Sequence, residues 1–206
     1  PSAPDHQIER PLIAHVVHRF DTGGMENGVV NLINRMPVDF ADHCVIALTS
    51  VAPEFAARVT RADVRMIALE RPPGQTARIF PKLYQTLKSL RPTIVHTRNA
   101  ATLEAQVPAW LARIPVRIHG EHGWDVNDVG GTNTRLLMLR RVLRRFVHHQ
   151  IALSRPTEHY LLERVGVPRA AVTEITNGVD TDRFVPACSV AEARALLDGC
   201  PIPPEA

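Results

Sequence analysis

Two adjacent glycines, Gly23 and Gly24, stand where an apolar segment gives way to a helix-like pattern. Leu12 to Val17 has the composition of a buried strand, and apolar residues recur at helical spacing from Val29 to Met36. The start of a helix offers unpaired N–H groups to an anion, and glycine lets the backbone approach a ligand closely. The segment therefore predicts either a phosphate-binding loop or a tight turn that binds nothing.

Two further positions carry residues that could do chemistry. Arg98 and Asn99 follow the apolar run from Thr93 to Thr97. An arginine there could bind a phosphate through two parallel hydrogen bonds, or it could cover the next helix as a surface residue. His122 ends another apolar run just before Gly123, and an imidazole titrates near neutral pH.

Strands and helices that alternate along the chain would bring these positions together. The strand candidates are Leu12–His18, His43–Leu48, Val64–Leu69, Thr93–Thr97, Val116–His122, Gln150–Ser154 and Val172–Ile175. The helix candidates are Gly24–Met36, Glu54–Thr60, Thr76–Leu90, Ala101–Arg113, Asn133–His148 and Pro156–Val165. This alternation predicts an α/β fold with a doubly wound parallel sheet and helices on both faces. Ligands bind beyond the carboxyl ends of the strands in such sheets, so all the candidate residues should share one edge.

The composition limits the class of protein. The chain has 206 residues, 45% hydrophobic and 22% charged, which is typical of a soluble globular protein. A formal net charge of +3 does not indicate nucleic-acid binding. The three cysteines form no metal-type Cys-x-x-Cys pair, and we expect them to be reduced thiols. No apolar run reaches the ~20 residues of a membrane span and no signal peptide is recognisable, so we expect a cytoplasmic protein.

Four motifs resemble Glycosyltransferase Family 4, in the family's order and spacing. They are Thr22-Gly23-Gly24-Met25-Glu26, Thr93-Ile94-Val95-His96-Thr97-Arg98-Asn99, Gly120-Glu121-His122-Gly123-Trp124-Asp125 and Asn177-Gly178-Val179-Asp180-Thr181-Asp182-Arg183-Phe184. More narrowly, the chain is similar to sugar transferases of bacterial exopolysaccharide systems. The resemblance implies the GT-B architecture, in which two Rossmann-like domains face each other across a cleft.

The resemblance also implies a domain organisation. Residues 1–180 correspond to the N-terminal, acceptor-side domain, and residues 181–206 correspond to the start of an interdomain linker. The C-terminal, donor-binding domain of the family, with its paired glutamates, is expected to be absent. We therefore expect this chain alone to fold as one Rossmann-like half of a GT-B enzyme and to be inactive.

The roles of the candidate residues follow from the same resemblance. Gly23 and Gly24 match the family's glycine-rich loop, which faces the nucleotide diphosphate and the acceptor. His122 matches a histidine near the donor sugar and is the candidate catalytic residue, with His119 as a competing position. A spacing of three on a strand places these two histidines on opposite faces, so they should share no metal ion. The other candidates for substrate binding are Arg98, Asn99, Trp124 and Asp125.

The segment Asn133–His148 predicts an amphipathic helix with a basic face formed by Arg140, Arg141, Arg144 and Arg145. Such a helix can contact an anionic membrane surface, but the pattern is also typical of a solvated face whose apolar side packs on the sheet. Acceptors in exopolysaccharide synthesis are often lipid diphosphates, so a peripheral contact with the inner face of the membrane is one hypothesis.

The resemblance thus predicts a glycosyltransferase of bacterial exopolysaccharide synthesis. It would transfer a sugar from a nucleotide-sugar to a hydroxyl of a saccharide or lipid-linked acceptor, with retention and with neither a cofactor nor an essential metal. Two alternatives stay open. One is a GT-B-fold epimerase, which turns over its sugar nucleotide without an acceptor. The other is a non-catalytic module that docks on a membrane or a synthesis complex.

Overall fold

The computed structural model describes residues 10–72, 76–123 and 128–178, together with Ser189. Within these residues, seven strands form one sheet in the order β3-β2-β1-β4-β5-β6-β7, and all neighbouring strands are parallel. The strands are β1 (Leu12–Val17), β2 (Asp42–Ala47), β3 (Arg65–Ala68), β4 (Ile94–Arg98), β5 (Val116–Glu121), β6 (His149–Ala152) and β7 (Val172–Glu174). Every predicted strand is present, so the prediction of a doubly wound parallel sheet is confirmed.

Helices connect the strands and cover both faces of the sheet. They are α1 (Gly24–Arg35), α2 (Pro53–Ala56), α3 (Phe80–Leu90), α4 (Ala100–Leu103), α5 (Gln106–Leu111), α6 (Thr134–Leu143) and α7 (Arg155–His159). Short 3₁₀ turns lie at Thr76–Ile79, Val129–Gly131, Arg144–Phe146 and Arg169–Ala171, and α7 continues as a π-helical turn, Tyr160–Val165. The predicted helices are therefore present, but several are divided into shorter pieces.

The core explains why β1 and β2 consist mainly of apolar residues. Alternate residues of β1 and β2 pack on one face against α1 and α2, in a cluster that includes Val17, Val45 and Val29. The intervening residues pack on the other face against α3 and α5, in a cluster that includes Val16 and Leu83. Because both faces of a parallel sheet are covered, β1 and β2 are buried along nearly their whole length.

Two helix boundaries that the sequence indicates are confirmed. Asn133 caps α6, because its side chain accepts hydrogen bonds from the backbone N–H groups of Arg135 and Leu136. Gly166, with a φ of 78°, ends the π-helical turn in the left-handed conformation that glycine adopts at little cost. The helix predicted over Asn133–His148 ends earlier, at Leu143, where the chain tightens into a 3₁₀ turn.

The order of the strands fixes where a ligand can bind. The chain moves outward from β1 through β2 to β3, returns to β4 beside β1, and then continues in the opposite direction to β7. The connections after β1 and β4 therefore leave the sheet in opposite directions, which opens a crevice at their carboxyl ends. The residues that follow β1, β4 and β5 line that edge.

Contacts along the chain group it into two units, Pro1–Thr176 and Asn177–Ala206. Only Asn177, Gly178 and Ser189 of the second unit are described, so the predicted linker, residues 181–206, lies outside the described residues except for Ser189. Among the helices that the structure describes, none is both long enough and apolar enough to cross a bilayer.

Candidate substrate-binding site

The two glycines after β1 have different surroundings. Gly23 caps the N-terminus of α1 with an extended backbone, and a Cβ at this position would collide with Oε2 of Glu26. A Cβ on Gly24 would meet no atom within 4 Å. The side chain of Glu26 thus covers Gly23, while Gly24 faces open space at the start of a helix of 12 residues.

Arg98, at the end of β4, is a buried cation. Its exposed fraction is 4%, and its Nη2 atom donates hydrogen bonds to Nδ1 of His15, at 3.3 Å, and to Nδ1 of His96, at 3.1 Å. Within the described part of the chain, Nη1 has no hydrogen-bond partner and no carboxylate forms an ion pair with the guanidinium. Burial lowers the pKa of Arg98 to about 10, although the charge of Glu26 opposes this shift. The positive charge is therefore buried without an ion pair among the described residues, although the charge of Glu26 acts on it.

Asn99 connects the end of β4 to the end of β5. Its backbone N–H donates to the carbonyl oxygen of Gly120, and its Oδ1 accepts from the backbone N–H of His122, both at 2.8 Å. These bonds hold Asn99 at a φ of 60° and a ψ of 165°, which residues other than glycine rarely adopt. The backbone of His122 is thus fixed relative to Arg98.

The ring of His122 packs over Gly120. A Cβ at Gly120 would lie 2.9 Å from Nε2 of His122 and 3.3 Å from Nε2 of His96, so only glycine leaves room for both rings. Burial, followed by the charge of Arg98, lowers the pKa of His122 to about 4. His122 is therefore neutral at pH 7 and only partly buried. It can exchange hydrogen bonds with a ligand but carries no charge.

His119 lies on the opposite face of the sheet from His122. It is fully buried and its Nδ1 lies 2.8 Å from Oγ1 of Thr97, whose hydroxyl accepts a hydrogen bond from Nε2 of Gln106. Its Nε2 lies 3.5 Å from Oε1 of Glu121. These contacts place His119 in the packing beneath α5, away from the edge where the glycines lie.

A second buried arginine lies near this network. Arg140 of α6 donates from Nε to Oε1 of Glu121 and from Nη1 to Oδ2 of Asp128, both at 2.8 Å. Its guanidinium also lies over the ring of Tyr160, 5.6 Å from the centroid. Burial acts to raise the pKa of Glu121. The interactions with His119 and Arg140 have the larger effect and lower this pKa to about 2. The charged side chains of Arg140, Glu121 and Asp128 thus each have an oppositely charged hydrogen-bond partner.

The predicted basic face of the α6 segment is wrong for Arg140. That residue is 4% exposed and points inward, because the carboxylates of Glu121 and Asp128 bind it. Arg141 and Arg144 donate to the carbonyl oxygens of Arg164 and Gly166, which ties α6 to the end of the π-helical turn. Arg141 and Arg145 are exposed, as are the apolar side chains of Met138 and Val142.

The structure brings most of the predicted site residues to the carboxyl ends of three neighbouring strands. These residues are Gly23, Gly24, Arg98, Asn99 and His122. Trp124 and Asp125 lie outside the described residues. Among the described residues, no group of three His, Cys, Asp or Glu side chains could hold a metal ion.

Sequence reasoning missed the histidines that surround Arg98 and the partner of Asp128. A signal was present, because His15 and His96 interrupt apolar runs that otherwise match buried strands. A polar residue in such a run must find a hydrogen-bond partner inside the protein. Which partner it finds depends on the register between strands, and the sequence does not contain that information.

Comparisons with known proteins agree with this geometry. The family model described as Glycosyltransferase Family 4 matches residues 22–183. A curated relative from Escherichia coli, UDP-Gal:alpha-D-GlcNAc-diphosphoundecaprenol alpha-1,3-galactosyltransferase, is 25% identical over 120 residues, which are 57% of this chain and 31% of that protein. This chain therefore spans about a third of the length of its curated relative.

Solved structures share the fold at low identity. A glycosyltransferase from Rickettsia africae superposes with a TM-score of 0.69 and 17% identity, over 95% of this chain and 50% of that one. Anabaena Alr3699/HepE, in complex with UDP and glucose, superposes with a TM-score of 0.68 and 17% identity, over 92% of this chain and 50% of that one. A protein from Listeria monocytogenes described as a putative UDP-N-acetylglucosamine 2-epimerase has a lower TM-score, 0.58. Its identity is 13%, over 79% of this chain and 44% of that one. The structural matches establish the fold, and the extent of the family match establishes that the chain belongs to Glycosyltransferase Family 4.

Proposed function

We propose that this chain is the acceptor-side domain of a glycosyltransferase of bacterial exopolysaccharide synthesis. The enzyme transfers a sugar from a nucleotide-sugar to a hydroxyl of a saccharide or lipid-linked acceptor, with retention and without an essential metal. Family membership supports the reaction class. The Escherichia coli relative is named for UDP-Gal and a diphosphoundecaprenol acceptor, and the Anabaena protein was crystallised with UDP and glucose, which supports a nucleotide-sugar donor.

The observation that carries the proposal is the charge at the carboxyl edge of the sheet. Arg98 places a buried cation there that forms no ion pair among the described residues; the charge of Glu26, whose side chain covers Gly23, acts on it. The start of α1 adds backbone N–H groups. As a sugar leaves its nucleotide, negative charge grows on the departing diphosphate. Preorganised donors and a desolvated cation stabilise that charge most effectively where it develops.

His122 contributes as a neutral group. With a pKa of about 4, it stays unprotonated at the pH of the cell, so it can accept or donate one hydrogen bond without adding a charge. Its position beside Arg98 fits a contact with a hydroxyl of the donor sugar or with the leaving diphosphate. Asn99 fixes its backbone, which limits the orientations that the ring can take.

Transfer assays on the protein expressed from its complete gene test the proposal. We expect release of nucleotide from UDP-sugars to require an acceptor, and His122→Ala to lower kcat by more than ~100-fold if the residue supports the transition state. Turnover of the nucleotide-sugar without acceptor would favour the epimerase. The 206-residue chain by itself should melt cooperatively and transfer no sugar.

His119→Ala is the matched control. Because His119 is buried and bonded to Thr97, its loss should lower the melting temperature while leaving the activity of the folded enzyme largely intact. Activity lost in His119→Ala at normal stability, together with an active His122→Ala variant, would reverse the two roles.

The proposal includes a peripheral membrane contact, now without Arg140. The exposed surface of α6 combines Met138, 57% exposed, and Val142, 53% exposed, with Arg141 and Arg145. Exposed apolar residues beside cations suit the interface of an anionic bilayer. We expect the protein to float with vesicles of phosphatidylglycerol and not with those of phosphatidylcholine. Flotation that is unchanged when Met138 and Val142 are both replaced by Ser would exclude this surface.

A further inference from the structure

The guanidinium of Arg98 contacts two histidines on one face of the sheet, and a third histidine stacks on one of these. His15 of β1 and His96 of β4 are direct neighbours in the strand register, and both face Arg98. His43 of β2 stacks on His15, with ring centroids 5.2 Å apart and planes inclined by 19°. His15 and His43 are buried, and so is the Nε2 atom of His96. These imidazoles replace the carboxylates that usually accompany a buried arginine.

The positions of the protons on these rings follow from the hydrogen bonds. A guanidinium only donates, so Nδ1 of His15 and Nδ1 of His96 must both accept, and each ring carries its proton on Nε2. Nε2 of His15 lies 3.0 Å from Nδ1 of His43. It can only donate there, which places the proton of His43 on Nε2 as well. One charged group thus determines the tautomers of three histidines.

Only neutral rings can support this arrangement. A protonated histidine has no acceptor and would add a second positive charge next to Arg98. Burial and then the charge of Arg98 lower the pKa of His15 and of His96 well below the ordinary value, and burial lowers that of His43. The histidines hold Nη2 in place without neutralising the cation, and Nη1 has no partner among the described residues. A buried donor atom without a partner, on a cation that forms no ion pair among the described residues, is suited to an anion.

We propose that His15 and His96 are positioning residues, which hold the guanidinium of Arg98 so that Nη1 binds an oxygen of a diphosphate. This inference rests on the proposed function, which supplies a diphosphate ligand. A nucleotide-sugar and a lipid-linked acceptor both present the same oxyanion, so the chemistry of the site is common to the two sources. His43 supports His15 from behind and does not touch Arg98.

Two substitutions at His96 separate positioning from packing. His96→Asn keeps an acceptor near the place of Nδ1, whereas His96→Phe fills the space of the ring but has no acceptor. In titration calorimetry of the full protein with UDP, and separately with geranyl diphosphate, we expect His96→Phe to weaken binding by about 10-fold or more and His96→Asn to restore most of it. A role in packing alone predicts the reverse order, because Phe replaces the lost volume better than Asn.

His43→Phe is the matched control, since it makes the same change at the far end of the histidine chain. It should alter thermal stability but leave the affinity for both probes within about 2-fold of the wild type. An equal loss of affinity in His43→Phe and His96→Phe would overturn the inference, because the effect would then be a general disturbance of the sheet. A loss confined to UDP or to geranyl diphosphate supports it and identifies the donor or the acceptor as the source of the oxyanion.

Nitrogen NMR of the imidazoles in the wild-type protein needs no variant. We expect His15, His43 and His96 to be neutral Nε2–H tautomers at pH 7, and a proton on Nδ1 of His15 or His96 would overturn the inference.

Failure of the proposed function is a distinct result. If both probes bind with the expected order of variants but no sugar is transferred, the binding site is supported and the proposed reaction is rejected. If the wild-type protein binds neither probe, the binding site is rejected.

Discussion

Arg98 and Arg140 are equally buried, at 4% exposure, yet their surroundings are opposite. Arg140 donates to two carboxylates, those of Glu121 and Asp128, whereas Arg98 donates to two neutral imidazoles, those of His15 and His96. The pKa of Arg140 is raised, because Glu121 and Asp128 outweigh the effect of burial, while the pKa of Arg98 falls to about 10. Two arginines of equal exposure therefore have pKa values shifted in opposite directions.

The difference separates a structural cation from one available to a ligand. A buried guanidinium between carboxylates acts as a cross-link, here between α6, β5 and the segment before α6. A buried guanidinium between neutral acceptors keeps its geometry and its charge. The desolvation of that charge is a cost that an arriving anion can offset. Charge compensation, rather than burial, thus distinguishes the two roles.

The largest expected effect is the loss of protein stability when the structural arginine, Arg140, is replaced. Arg140→Met should lower the free energy of unfolding by about 3–5 kcal/mol, because two buried carboxylates lose their partner. Urea denaturation at pH 7 measures this change. The activity of the molecules that remain folded should be close to normal. A stability within 1 kcal/mol of the wild type would mean that the cluster behaves like a surface ion pair.

Arg98→Met should produce the opposite result. Transfer activity should fall about 100-fold, equivalent to ~2.7 kcal/mol at the transition state, because the diphosphate loses its cation. The melting temperature should stay near that of the wild type, since the substitution also removes an uncompensated buried charge. Steady-state kinetics and thermal melts on the same preparation measure both. A strongly destabilised variant with normal activity per folded molecule would make Arg98 a second structural arginine.

Gly24→Val tests the glycine loop at the start of α1. A side chain there meets no atom within 4 Å, so the fold should tolerate it, but it would block the approach of a phosphate to the start of α1. We expect about a 10-fold rise in KM for the nucleotide-sugar, equivalent to ~1.4 kcal/mol. The control is Gly28→Ala within α1, also in open space. Unchanged kinetics in a folded Gly24→Val enzyme would exclude the phosphate-binding loop.

As the pH falls, the histidines around Arg98 should reduce the stability of the protein first, and the cluster of Arg140 and Glu121 should do so at lower pH. The neutral histidines around Arg98 have lowered pKa values in the folded state, so the unfolded chain binds more protons and stability falls as the pH drops below ~6.5. Glu121 also has a lowered pKa, of about 2, so its contribution is lost only below ~4.3. Melting temperatures across this range should fall in two phases. Glu121→Gln should remove only the phase at lower pH. A single phase below pH 4 would contradict the prediction that the histidines around Arg98 are neutral in the folded protein.

Much of the fold could be predicted from the sequence, because the period of apolar residues records which positions are buried. The strand-to-helix turn at Gly23 and the end of a strand at His122 followed from that pattern, and their place at one edge followed from the rule that ligands bind at the carboxyl ends. The inward turn of Arg140 could not be predicted. Helical spacing placed it with Arg141 and Arg144, and only the carboxylates of neighbouring segments draw it into the core. Such pairings depend on distances between elements that a single sequence does not fix.

The backbone at Asn99 has a consequence for protein engineering. Its combination of a φ of 60° and a ψ of 165° costs ~1–3 kcal/mol in any residue but glycine. A laboratory selection for thermostability alone would therefore favour Asn99→Gly. The same change would remove the amide oxygen that holds the backbone of His122, and the end of β5 would gain freedom beside Arg98. Variants of this protein selected for heat resistance should accordingly be tested for the proposed transfer activity when Asn99 is replaced, because the substitution that relieves the backbone strain also removes this contact.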